Sequence, residues 1–119
     1  LPGAWREAYK RELGVEPKDD VEGCLQDGHW AEGLFGYFPT YTLGNVYAAQ
    51  LYAAAGSEQE EKFAAGDFSG LLTWLRQKIH GQGMRHSARE LVKRATGKPP
   101  DHQALVLGLK KKYGLSYGL

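Results

Sequence analysis

Several features that would assign a protein to a common class are missing from this 119-residue sequence. A single cysteine, Cys24, excludes an internal disulfide and a four-cysteine zinc cluster. No run of about 18 apolar residues occurs, which is the length that a membrane-spanning helix requires. A Gly-x-Ser-x-Gly turn, which would present a serine nucleophile, is also missing. We therefore expect neither a disulfide-stabilised domain nor a membrane protein.

The amino terminus shows no secretory leader pattern, and it begins Leu1-Pro2 without an initiator methionine. A lone thiol fits a reducing compartment, so we expect a cytoplasmic protein. From the missing methionine we also expect the sequence to be a portion of a longer polypeptide.

Charge is distributed unevenly along the sequence, although the formal net charge is only +1. Residues 1–75 contain 5 basic and 12 acidic side chains, whereas residues 76–119 contain 10 basic and 2 acidic side chains. The basic region lacks the interleaved aromatic residues that stack on nucleic-acid bases. We therefore expect no nucleic-acid partner, and interpret the charges as solvated helix faces or as regions that attract each other or a second copy.

Glycine and proline divide the sequence into segments with helical periodicity, and no alternating strand pattern occurs. Acidic residues or serines precede several segments, as helix caps do, and Ser57 and Ser87 each begin a capping box. The predicted helices cover residues 2–13, 19–30, 40–55, 57–65, 68–79, 88–96 and 102–113. The sequence thus predicts an all-α fold, with residues 1–119 forming a single helical region.

Histidine, cysteine and acidic residues do not form a recognisable metal motif. None of the four histidines opens a His-Glu-x-x-His sequence, the spacing that directs two imidazoles at one zinc ion. Cys24 with His29, or His86 with Glu90, would supply only two ligands, and two ligands do not hold a zinc ion. We expect no metal to be bound by this chain alone.

The segment 25–41 collects side chains that suit catalysis: an amide, a carboxylate, an imidazole, an indole and two phenols. Tyr37 and Tyr41 flank a proline bend, and a phenol or an imidazole such as that of His29 can donate a hydrogen bond to a developing oxyanion. The alternative is that the aromatic side chains fill a core while Asp27 fixes His29. The residues alone leave both interpretations open.

The same segment resembles the carboxypeptidase Taq family of metal-dependent carboxypeptidases. The two stretches that carry the resemblance are Leu25-Gln-Asp-Gly-His-Trp30 and Gly33-Leu-Phe-Gly-Tyr-Phe-Pro-Thr-Tyr-Thr-Leu-Gly-Asn45. Shorter matches follow in family order as far as Lys112-Tyr113, so the resemblance extends over nearly the whole chain.

The resemblance implies the C-terminal part of a larger, helical-bundle metallopeptidase that releases single amino acids from peptide C-termini. In the family, zinc or cobalt is held by a His-Glu-x-x-His helix and a further glutamate, which lie upstream of the region seen here. The implied partners are a peptide substrate, the missing N-terminal part and a second copy, because members are usually homodimeric. This chain alone is expected to be inactive.

Matching the family motif residue by residue implies roles for five side chains. His29 and Tyr41 would face the scissile carbonyl or the tetrahedral intermediate, with Tyr37 as the alternative phenol. Gln26 and Asp27 would contact the substrate or orient the catalytic groups. Two positions depart from the family pattern: Gly28 replaces a branched apolar residue and Ala31 replaces a serine.

A second interpretation is a stand-alone helical interaction or dimerisation module without catalysis. It is motivated by the short sequence and by the opposite charges of its two regions. Either interpretation predicts exposed apolar surface and self-association, with contacts made by Trp30, Phe35 and Phe38.

Overall fold

The computed structural model of the chain describes residues 1–56 and 59–118, and all regular structure in them is helical. The α-helices are α1 (Pro2–Leu13), α2 (Pro39–Ala55), α3 (Gln59–Ala64), α4 (Ser69–Lys78), α5 (Ala88–Thr96) and α6 (Gln103–Tyr117). Three short 3-10 helices cover Cys24–Gln26, Gly28–Glu32 and His80–Gln82. The predicted all-α class is confirmed. Of the helices in the described ranges, none is long and apolar enough to cross a membrane.

Contacts divide the chain into two units, Leu1–Tyr41 and Thr42–Leu119. In the first unit, α1 begins at Pro2, whose missing N–H is tolerated in a first helical turn. It ends at Gly14, which takes the left-handed conformation of a helix C-cap (φ 69°). These bounds agree with the predicted helix.

The predicted helix over residues 19–30 is wrong, because this segment forms turns and two 3-10 helices. The Asp19 carboxylate accepts the Glu22 N–H at 2.9 Å and so closes a turn. Gly23 departs from helical geometry (φ −106°, ψ −120°), and a Cβ there would lie 3.0 Å from the Asp19 carbonyl oxygen. Asp27 then opens a separate turn by accepting the His29 N–H. Local side-chain-to-backbone hydrogen bonds therefore outweigh the helical periodicity of this segment.

In the second unit, side-chain caps open three helices as predicted. The oxygens that accept backbone N–H groups at the starts of α4, α5 and α6 belong to Asp67, Ser87 and Asp101. The Glu90 side chain does not complete the capping box; it pairs with Arg94 at 3.1 Å instead. The capping box predicted at Ser57 lies outside the described residues.

These caps predict an acid-dependent loss of stability. A hydrogen bond from the Gln103 N–H, followed by interactions with Lys98, lowers the pKa of Asp101 below the ordinary 3.8. Because the folded-state pKa is depressed, this stabilisation is complete above pH 3.8 and is lost as the pH falls through the lower folded value. We expect Asp101→Asn to make the free energy of unfolding less dependent on pH in this range, as measured by urea denaturation. An unchanged acid dependence would contradict the capping role.

Three hydrophobic or polar side chains among the described residues are buried below 5% exposure, namely Cys24, Val92 and Gln50, and Pro17 is buried as well. Cys24 carries a free thiol that is buried. Many large apolar side chains are exposed instead, including Phe35, at 75%. Apolar packing within the described residues is therefore sparse.

Gln50 is the most deeply buried of the three, at 2% exposure, and it organises the connection between α5 and α6. Its amide nitrogen donates to Thr96 Oγ1 at 3.0 Å and to the carbonyl oxygens of Lys98 and Pro99 at 3.3 and 3.1 Å. Its amide oxygen accepts the Asp101 N–H at 3.0 Å. One side chain on α2 thus forms hydrogen bonds with the backbone of a connector that contains two prolines and has no regular structure.

Candidate functional site

The backbone between Asp27 and Tyr41 brings the predicted site residues together within the first unit. Asp27 opens the 3-10 helix Gly28–Glu32, and Gly33 ends it in the left-handed conformation (φ 76°). The chain then bends, and Pro39 begins α2, so that Tyr41 lies in its first turn. A residue with a Cβ is strained at the φ of Gly33, which is why glycine stands at this reversal.

Asp27 and His29 form the most constrained pair of the site. A single carboxylate oxygen, Asp27 Oδ1, accepts the His29 backbone N–H at 3.1 Å and lies 2.9 Å from the imidazole Nδ1. Both side chains are mostly shielded, with 16% of Asp27 and 22% of His29 exposed. One carboxylate oxygen therefore holds His29 through both its backbone N–H and its imidazole.

Three aromatic rings surround the His29 imidazole. Tyr37 packs against it with the ring centroids 4.9 Å apart, and Phe38 meets it edge-on at 5.7 Å. The Tyr41 ring lies 5.8 Å away, and its hydroxyl is 3.5 Å from His29 Nε2, at the long limit of a hydrogen bond. Tyr37 and Tyr41 also contact each other edge-on at 5.8 Å.

The aromatic side chains of this segment do not fill a core within the described chain. Tyr37, Phe38 and Tyr41 are 44%, 51% and 57% exposed. His29 Nε2 and the Tyr41 hydroxyl thus meet in an open, aromatic-lined surface. Within the described chain, both groups are accessible for hydrogen bonding.

The structure brings together four of the five predicted site residues, Asp27, His29, Tyr37 and Tyr41. The Gln26 amide instead donates to the Val21 carbonyl oxygen at 2.6 Å. Sequence reasoning missed that Phe38 belongs to the cluster. Phe38 lies between Tyr37 and Pro39, where the chain turns into α2, and this position could have predicted that it joins the cluster.

The side chains that the structure describes do not form a metal site. Across residues 1–56 and 59–118, no group of three or more His, Cys, Asp and Glu side chains is arranged to hold an ion.

Comparison with known proteins defines the class of this helical chain. A sequence profile for the carboxypeptidase Taq (M32) metallopeptidases matches residues 1–113. The structure superimposes on a crystal structure of the M32 carboxypeptidase from Deinococcus radiodurans with a TM-score of 0.89 and 43% identity. That match covers 100% of this chain and 25% of the Deinococcus chain. The class is that of the metal-dependent carboxypeptidases.

Two curated relatives support the same assignment. The chain is 51% identical to thermostable carboxypeptidase 1 of Thermus thermophilus, in an alignment that covers 99% of this chain and 24% of the relative. It is 43% identical to thermostable carboxypeptidase 1 of Pyrococcus furiosus, with 95% and 23% covered. The chain belongs to the carboxypeptidase Taq (M32) family, and the predicted resemblance is confirmed. It spans about a quarter of the length of the curated relatives that it matches.

Proposed function

We propose that this chain is the C-terminal region of a metallocarboxypeptidase that releases single amino acids from peptide C-termini. The observation that carries the proposal is the open cluster of Asp27, His29 and Tyr41 in a chain of the M32 family. The chain would supply groups that contact the substrate and the transition state. The zinc or cobalt ligands would come from the rest of the polypeptide.

Hydrolysis of a peptide bond places negative charge on the former carbonyl oxygen, and hydrogen-bond donors aimed at that oxygen lower the barrier. Tyr41 offers a phenolic O–H in the first turn of α2, where more than half of the side chain is exposed. His29 Nε2 lies beside it and becomes a second donor when the ring is protonated. Together they would form the part of the cleft that faces the scissile carbonyl.

Tyr37 is the alternative phenol, and the geometry favours Tyr41 over it. Tyr37 contacts His29 through its ring, with centroids 4.9 Å apart, whereas Tyr41 contacts it through its hydroxyl as well as its ring. A hydroxyl beside Nε2 can share a substrate oxygen with the imidazole. Tyr37 would instead support the ring of His29 and border the cleft.

The test is amino acid release by the complete polypeptide encoded by the reading frame that contains this chain. We expect release of the terminal residue from a peptide with a free C-terminal carboxylate, loss of activity on chelation, and recovery with added zinc or cobalt. The same peptide with a C-terminal amide is the matched control, and it should be resistant. No release from the free peptide by the metal-loaded polypeptide would contradict the proposal.

The second candidate is a helical interaction module, which the exposed apolar side chains favour. Phe35 is 75% exposed and Phe38 is 51% exposed within the first unit, and apolar patches of this kind promote association. Trp30 is half-buried and packs against Phe35 with ring centroids 6.2 Å apart, so it would extend the same surface.

This surface predicts that the 119-residue chain self-associates. We expect light scattering to show an average mass that rises with protein concentration, and Phe35→Ser to reduce that rise. Met84→Ser is the matched control, since Met84 is 98% exposed but lies in the other unit. A monomer at every concentration would contradict the prediction.

A further inference from the structure

We propose that Asp27 is a positioning residue that sets the tautomer of His29 and thereby determines which ring nitrogen faces Tyr41. The tautomer itself concerns this chain alone. Its consequence for catalysis depends on the proposed function, in which Tyr41 and His29 contact the substrate.

One carboxylate oxygen of Asp27 contacts both the backbone and the imidazole of His29. Asp27 Oδ1 lies 2.9 Å from His29 Nδ1 and accepts the His29 backbone N–H at 3.1 Å. A carboxylate accepts hydrogen bonds and donates none, so the 2.9 Å contact requires a hydrogen on Nδ1. The backbone contact holds the same oxygen in place, which leaves the carboxylate little freedom to turn away from the ring.

The surrounding aromatic rings restrain the imidazole in one orientation. Tyr37 packs against the ring at 4.9 Å between centroids and Phe38 meets it edge-on at 5.7 Å. Turning the imidazole over would replace the Nδ1 contact with Asp27 by a carbon atom and forfeit the hydrogen bond. The ring therefore keeps Nε2 directed toward Tyr41.

The tautomer of His29 determines how the Tyr41 hydroxyl, which lies 3.5 Å from Nε2, forms hydrogen bonds. With hydrogen fixed on Nδ1, Nε2 of a neutral ring is an acceptor and attracts the phenolic hydrogen. When Nε2 also carries a proton, it donates to the Tyr41 oxygen, and the phenolic hydrogen is free to bind a substrate oxygen. Without the Asp27 carboxylate, the neutral ring would favour hydrogen on Nε2, as free imidazole side chains do in water.

The first measurement is nitrogen-15 NMR of the 119-residue chain labelled at histidine, at a pH where the His29 ring is neutral. Loss of signals in His29→Phe assigns them. We expect the Nδ1–H tautomer in the wild type and a larger Nε2–H fraction in Asp27→Ala. Asp27→Asn keeps one oxygen that can accept both the His29 backbone N–H and Nδ1–H, so it should preserve the local turn and the Nδ1–H tautomer.

Asp20→Asn is the matched control, because Asp20 lies in the same unit but pairs with Arg6 at 2.9 Å. It should leave the His29 tautomer unchanged. A wild-type ring with its hydrogen on Nε2 would overturn the proposal, even if the variants failed to fold. An unchanged tautomer in folded Asp27→Ala would overturn it as well.

A second measurement separates this proposal from the proposed function. In the complete polypeptide, we expect Asp27→Ala to lower kcat by about 10–100-fold with a smaller change in KM, the range found when a partner that orients a metal-ligating histidine is removed. An active polypeptide with unchanged kcat in this variant would overturn the positioning role alone. An inactive wild-type polypeptide would overturn the proposed function, while the NMR result would still decide the tautomer.

Discussion

Replacing Tyr41 by phenylalanine in the complete polypeptide is expected to raise the catalytic barrier by about 2–4 kcal/mol, the typical effect of losing one donor to an oxyanion. That corresponds to a loss in kcat of about 30- to 1,000-fold. Phenylalanine keeps the ring that contacts His29, Tyr37 and Phe38, so the change removes only the hydroxyl. Steady-state kinetics on a peptide with a free C-terminus measures the effect.

Tyr52→Phe is the control for this experiment. Tyr52 also lies on α2 and is exposed, but its ring packs against Phe63 rather than His29. Its loss of a hydroxyl should leave kcat within about twofold, as expected of a surface group that does not touch the substrate. If Tyr41→Phe also left kcat unchanged, the donor role would pass to Tyr37 or His29.

Replacing Gln50 by leucine is expected to lower the free energy of unfolding by about 2–4 kcal/mol, because several part-buried hydrogen bonds would be lost together. The groups affected are Thr96 Oγ1, two carbonyl oxygens and the Asp101 N–H. Leucine matches much of the glutamine volume, so the effect reports on hydrogen bonding more than on a cavity. Urea denaturation followed by circular dichroism measures it.

Gln77→Leu is the matched control, because it makes the same substitution at an exposed position of α4. Surface substitutions of this kind change stability by about 0.5 kcal/mol or less. If the two variants were equally stable, the Gln50 network would contribute no more than a solvated side chain does.

Elements whose signals are local were predictable from the sequence. Pro2 and Gly14 bound α1, and Asp67 and Asp101 cap α4 and α6, because proline, glycine and capping residues act through their own backbone or the adjacent turn. The spacing of His29 and Tyr41 was equally informative once the family motif was recognised. Both the family and the all-α fold followed from the sequence.

Features that depend on competition or on distant partners were not predictable. The apolar spacing around Cys24 suggested a helix, but Asp19 and Asp27 bind nearby backbone N–H groups and favour turns. Gln50 is a single polar residue within the apolar stretch 46–55. Its partners lie 46–51 residues away, so no local pattern could reveal its role.

The most direct test of the central claim is a crystal structure of the complete polypeptide with a phosphinic peptide, whose anionic oxygen mimics that of the tetrahedral intermediate. We predict that the Tyr41 hydroxyl lies within about 3 Å of that oxygen, with His29 Nε2 beside it and Asp27 still on Nδ1. A phosphinic group bound by other residues, with Tyr41 and His29 outside the cleft, would contradict the claim.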